Sequence, residues 1–250
     1  AYWNGSGCGN EFRSEGPMAR KFLIDSLCYW AREYKVDGFR FDLMGLIDRD
    51  TMVAVVEALN RVRPGMFIYG EPWAGGTTPA RVTGKGDQRG LGFGCFNDAY
   101  RIAVSGGVFD DAPGYAFNGL NRAAVQEGWR GSIHSFAQDP VESVNFVETH
   151  DNRTWRDKID EVVRAHLPDA TAEDKLAIDR IGAFLVLLAQ GVPFMHLGQD
   201  FYRTKRGNGN SYNAGDDVNK IRWEWKRESR ALFDFYRGLA AIRNAHPAFR

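Results

Sequence analysis

Apolar residues along the chain switch between two periods, and the switches outline its elements. Leu23, Leu27, Trp30, Ala31 and Tyr34 recur at helical spacing. Pro17 follows Ser14-Glu15-Gly16, where a first helical residue needs no amide donor, so the pattern predicts a helix over about residues 17–34. From Val36 to Asp42 the period becomes two, with Phe39 and Phe41 on one face and Gly38, Arg40 and Asp42 on the other, as in a strand. A second helix follows, capped by Asp48 or Asp50, with Met52, Val56 and Leu59 sharing a face. Pro64-Gly65 stops it before an apolar strand from Met66 to Tyr69. Parallel neighbours need a crossover, so strand, helix, strand reads as a βαβ unit.

Further strands are expected over Phe93 to Phe96 and Val144 to Val147, on either side of a long glycine-rich stretch. A helix over about 173–190 leads into a last strand near Val192 to Leu197. A closing helix over about 229–245 turns Leu232, Phe235, Tyr236, Leu239 and Ile242 inward. Strands and helices alternate, which predicts an α/β fold and leaves open a doubly wound sheet or part of an eight-stranded barrel. Neither a linker nor an internal repeat divides residues 1–250, which read as one incomplete domain.

Composition narrows the partners. At 44% hydrophobic and 26% charged, the chain has the make-up of a soluble globular domain. Lys plus Arg and Asp plus Glu number 32 each, so no basic excess exists to follow phosphates, and nucleic acid is not an expected partner. The longest apolar run, around Ile181 to Leu188, is too short to cross a bilayer, so no membrane partner is expected. Cys8, Cys28 and Cys95 are widely spaced and read as free thiols, compatible with a cytoplasmic or a secreted protein. Residue 1 is alanine and no leader-like segment follows, so the natural N-terminus is expected to lie upstream.

The chemistry gathers at strand ends. Asp42, Glu71 and the pair His150-Asp151 each directly follow a short apolar strand, and the carboxyl ends of parallel strands form the mouth where barrel active sites lie. Arg40 and Asp42 emerge on the same face, so the guanidinium can keep Asp42 ionised, as a nucleophile requires, or form a plain ion pair. Glu71, beside Trp73, is expected to be partly desolvated, which favours a protonated general acid. Two such carboxyls suffice for glycoside hydrolysis. Asp151 can accept hydrogen bonds from sugar hydroxyls and His150 can donate one. A metal on His150 and Asp151 is the rival, weakened by only five histidines and no carboxylate-rich loop. Gly90-Leu91-Gly92-Phe93-Gly94 reads as a turn, and the polar loop from Gly207 to Gly215 follows the last strand onto the same mouth.

Three segments in order, Asp37-Gly38-Phe39-Arg40-Phe41-Asp42, Gly70-Glu71-Pro72-Trp73 and Val147-Glu148-Thr149-His150-Asp151-Asn152, resemble signature segments of the α-amylase superfamily. Within it the chain looks most like the type I pullulanases, debranching enzymes acting on α-1,6 links. Asn4 through Glu11, Asp42-Leu43-Met44-Gly45, Tyr69 through Gly76, and Gly198-Gln199-Asp200-Phe201 through Tyr212 carry that likeness. The resemblance implies a partial (β/α)8 TIM barrel, its C-terminal strands and helices only. It implies Asp42 as nucleophile, Glu71 as acid/base and Asp151 as transition-state stabiliser. Arg40, Trp73 and His150 would bind substrate, an α-glucan, in a retaining reaction that requires no cofactor and leaves room for a structural calcium ion. An α-1,4-acting amylase or transglycosylase and a noncatalytic glucan-binding module are the alternatives. The family's Asn-His segment and opening strands would precede Ala1, and without them the barrel does not close, so the fragment alone is expected to be inactive.

Overall fold

The computed structural model describes residues 3–79 and 83–249; Ala1 and Tyr2, the start of the N-terminal segment, lie outside them. The chain forms two compact units, residues 1–96 with 132–144 and residues 97–131 with 145–250.

In the first unit, helix α1 (Pro17–Glu33) begins on its proline as expected. It buries Cys28 and Ala31, with Leu23, Ile24 and Leu27 half-buried beside them. Trp30 and Tyr34, expected on the buried face, are exposed, with their rings in tilted contact, centroids 4.4 Å apart. The helix carries two apolar stripes, and only the one led by Ile24, Cys28 and Ala31 meets the core. Strand β1 (Gly38–Phe41) follows, then helix α2 (Arg49–Val62) and strand β2 (Phe67–Gly70). Asp48 is the N-cap: it accepts from the Thr51 amide at 3.0 Å and from the Ser14 hydroxyl at 2.7 Å, while Asp50 sits in the first turn. Strands β3 (Gly94–Phe96) and β4 (Ser143–Asn145) complete the series up to the unit boundary. Met44, Met52, Val55, Leu59, Ile68 and Cys95 form the deepest part of this core. The glycine-rich turn before β3 is held by Glu142, whose carboxylate accepts from the amides of Gly90 and Gln138, each at 2.7 Å.

The second unit holds more helix than the sequence pattern predicts. Helices α3 (Asp98–Ser105), α4 (Tyr115–Asn118) and α5 (Arg122–Trp129) occupy the glycine-rich stretch. Helix α6 (Trp155–His166) follows the His150-Asp151 segment, and α7 (Ala172–Leu187) opens on a capping box between Thr171 and Asp174. Strand β5 is only Val192–Pro193. Two short helices, α8 (Asp216–Asn219) and α9 (Trp225–Glu228), precede the closing helix α10 (Arg230–Ala245). Leu232, Tyr236 and Leu239 of α10 are buried as expected, whereas Ile242 is exposed. The inward place there belongs to Arg243, whose guanidinium donates to the carbonyls of Leu187, the last residue of α7, and of Ala189 and Gly191 just beyond it. Those are acceptors that a helix end leaves without intrahelical donors.

The five strands lie in chain order, β1-β2-β3-β4-β5, with parallel pairing from β1 through β4. A doubly wound sheet reverses its order at a switch point and this one does not. The fold is α/β, a partial (β/α) barrel.

Candidate active site

Register fixes the first cluster. Phe41 of β1 pairs with Gly70 of β2, so Asp42 and Glu71 leave neighbouring parallel strands at the same level. The Glu71 amide still donates to the Phe41 carbonyl at 3.1 Å. Period two on β1 places Arg40 on the same side as Asp42. The guanidinium reaches both acids: Nη1 donates to Asp42 Oδ1, and Nη2 donates to Glu71 Oε1 at 2.6 Å. Its plane lies over the Phe96 ring, 5.5 Å from the centroid.

The two carboxyls differ in setting. The Asp42 side chain is 60% exposed and that of Glu71 is 3% exposed. Glu71 Oε2 accepts from the Leu43 amide at 2.7 Å, an amide presented by a left-handed residue, φ 45°, at the turn out of β1. Glu71 is thus buried as its neighbours predict, yet both oxygens accept from N–H donors instead of facing an apolar wall. The donors come from β1 and the turn that follows it, which sequence proximity to Trp73 does not reveal. Trp73 is half-buried and its backbone lies against Gly45. A Cβ on Gly45 would stand 2.4 Å from the Trp73 carbonyl, so only glycine lets the Glu71–Trp73 segment sit this close. The Gly45 amide donates back to the Glu71 carbonyl at 2.9 Å.

The second cluster belongs to the other unit. His150 Nε2 is 3.5 Å from Asp151 Oδ1, and both side chains are more than half exposed. Asp151 lines a cleft of about 730 Å³ together with Val108, Phe109, Asn152, Arg153 and the loop Gly207 to Asn210. The polar loop after the last strand therefore does share a cleft with Asp151.

Behind this cleft lies a buried polar network that the sequence reading did not assign. Glu148 is almost fully buried, accepts from the Trp155 amide and faces His196 Nδ1 at 3.2 Å. On the far side of that imidazole, Arg203 Nη1 is 3.1 Å from Nε2. Arginine only donates, so Nε2 accepts and Nδ1 carries the proton toward Glu148. Arg101 donates to Asn152 Oδ1 at 3.0 Å. Burial lowers its pKa to about 10 against the attraction of Glu148, Asp151 and Asp98. Glu148 lay inside the quoted Val147–Asn152 segment, and its place in a run of buried residues was the available signal. Arg203 lay inside the quoted Gly198–Tyr212 stretch without a role, whereas Arg101 and His196 fall outside every quoted segment. Among the described residues no three His, Cys, Asp or Glu side chains gather as metal ligands, and no helix is long and apolar enough to cross a membrane.

No family model matches the sequence. The chain is 40% identical over 259 residues to a pullulanase of Bacillus subtilis (strain 168), an alignment covering 99% of this chain and 35% of that protein. Among solved structures, the pullulanase from Bacillus acidopullulyticus superposes with a TM-score of 0.95 at 46% identity, over 100% of this chain and 31% of that one. A mutant pullulanase from Paenibacillus barengoltzii complexed with maltotetraose gives 0.94 at 40% identity, over 100% of this chain and 40% of that one. The chain thus spans between about a third and two fifths of the length of these relatives.

Proposed function

This chain belongs to the pullulanase family, and from that membership we propose that the protein carrying it is a retaining glycoside hydrolase that opens α-1,6 branch links. Its substrates on this reading are pullulan, amylopectin, glycogen or limit dextrins, and its partner is the α-glucan chain. The observation that carries the reading is the single guanidinium of Arg40 joined to an exposed carboxylate, Asp42, and a buried one, Glu71.

Asp42 attacks the anomeric carbon while Glu71 gives its proton to the departing glycosidic oxygen, leaving a glycosyl ester on Asp42. Water then attacks the same carbon, Glu71 takes the water's proton, and Asp42 departs as carboxylate. Retention by this route calls for carboxyls roughly 5 to 5.5 Å apart, and a shared guanidinium supports such closeness. Arg40 follows the negative charge. Before attack the charge is on Asp42; in the ester it is on Glu71, and one cation serves both without moving its backbone. Asp151 accepts hydrogen bonds from hydroxyls of the flattening sugar, His150 donates another, and Trp73 lines the path of the chain.

The test is product analysis on pullulan with the full-length protein. Maltotriose as the product, lost on Asp42→Ala, is the expected result. Undiminished turnover by Asp42→Ala, or products of α-1,4 cleavage, would overturn the assignment.

A further inference from the structure

Lys205 has no part in the reaction described above, and its setting is unusual for a lysine. The residue is 1% exposed. Burial depresses its pKa, with Glu148, Asp157 and Asp151 acting in the opposite sense. Its ammonium donates at 3.0 Å to the main-chain carbonyl of His150, which belongs to the peptide group that leads into Asp151. Its own amide donates to Asp157 Oδ2 at 2.8 Å, and the neighbouring Thr204 hydroxyl donates to Asp157 Oδ1. Asp157 lies in the first turn of α6, where its amide donates to the Thr154 cap. Lys205 is therefore anchored to the helix that begins just after Asp151, and from there it reaches back to the peptide in front of Asp151.

Removing an ammonium from water is unfavourable, and a main-chain carbonyl alone would be satisfied equally well by a neutral donor or a water molecule. The positive charge is what lysine adds. Asp151 itself is held only lightly by its own neighbours, its amide donating to the Thr149 hydroxyl at 3.3 Å and its carboxylate standing half in solvent. Asn152, the next residue, is left-handed with φ 59°, a turn in the chain between Asp151 and the start of α6.

We propose that Lys205 is a positioning residue for Asp151, fixing the His150–Asp151 peptide and placing a buried positive charge behind the carboxylate that grips the sugar. The inference rests on the reading of Asp151 as a transition-state stabiliser and deepens it. A lysine that merely stapled the Gly198–Tyr212 segment to α6 would affect stability alike whether or not Asp151 carried a charge.

The experiment is a double-mutant cycle in the full-length protein, read as kcat and KM on pullulan with thermal melts as the folding control. Lys205→Met keeps the apolar stem and deletes the charge; Lys205→Arg retains charge and donors. Lys205→Met is expected to lower kcat about 100-fold, as a misplaced catalytic group does, with a much smaller change in KM. Lys205→Arg is expected to recover part of that loss. In an Asp151→Asn background Lys205→Met is expected to change kcat by less than about twofold, because coupled groups do not act additively. If Lys205→Met does not fold, Lys205→Gln, a shorter neutral donor, replaces it in the cycle. An equal loss in both backgrounds, or a kcat within a few-fold of the parent, overturns the positioning role and leaves Asp151 untouched. Full activity in Asp151→Asn alone overturns the reading of Asp151 and the inference with it.

Discussion

Arg40 is the residue on which the site turns, because one guanidinium serves two carboxyls in unlike surroundings. Arg40→Met would remove the guanidinium that donates to both Asp42 and Glu71, and losing a hydrogen bond of this charged kind destabilises by about 1.5–3 kcal/mol. Denaturant unfolding at neutral pH should register that loss. Arg40→Lys keeps the charge and loses the planar fork, so it should fold and yet lose about 100-fold in kcat/KM on pullulan. Glu71→Gln is less silent than an isostere suggests. Both Glu71 oxygens accept, from Arg40 and from the Leu43 amide, whereas an amide side chain accepts on one side only. It should lose on the order of 10²–10⁴ in kcat and also about 1–3 kcal/mol of stability, for a buried N–H donor left unmatched. At this scale Asp42 and Glu71 were legible because strand periodicity alone puts Arg40 beside Asp42, and an acid after an apolar strand is a local signal. The buried Glu148, His196 and Arg203 were not, since their contact closes over 48 and 7 residues of chain and leaves no periodic trace.

Among the elements, the second unit is where the pattern fell short. Helix α3 has eight residues, too few for a periodicity to stand out, and α5, equally short, carries Gly128 in its last turn, which reads as a breaker. The structure explains that glycine. A Cβ there would stand 2.0 Å from the Tyr100 ring, so Gly128 lets α5 close onto α3. Helix α6 went unassigned: Trp155, Ile159, Val162 and Val163 do repeat at helical spacing behind the Thr154 cap, but six charged residues dilute its mean hydropathy. Helix α7 was expected, but the carboxyl inside its buried face was not. Asp179 is fully enclosed and accepts from the Tyr236 hydroxyl of α10 at 2.8 Å; burial pushes its pKa up to about 8 from 3.8. Between those pH values the folded chain holds a proton that the unfolded chain releases. Stability should therefore fall as pH rises through that window, by at most about 1.4 kcal/mol per unit, and level off above it. Melting curves at pH 5 and pH 8 should show the fall in the parent chain, while Asp179→Asn, still a partner for Tyr236, should flatten it.

At the scale of the whole molecule, chain-ordered strands made a partial barrel readable from alternation and motif order, while the outer aromatic stripe of α1 was misjudged. Phe22, Tyr29, Trp30 and Tyr34 are all exposed, and β1 has β2 as its one neighbour in the strand order of the described residues. Apolar patches and open strand edges promote association. The 250-residue chain on its own should sediment with a concentration-dependent mass, and a Phe22→Lys, Trp30→Lys double variant should reduce that dependence. The central claim concerns chemistry, and the most direct measurement of it is the mass of a trapped intermediate. The full-length protein, treated with a slow fluorinated α-glycosyl donor and digested to peptides, should carry one added glycosyl group on the peptide containing Asp42. A glycosyl group on Glu71 or Asp151 instead, or turnover that inverts the anomeric centre with no group attached, would contradict the account.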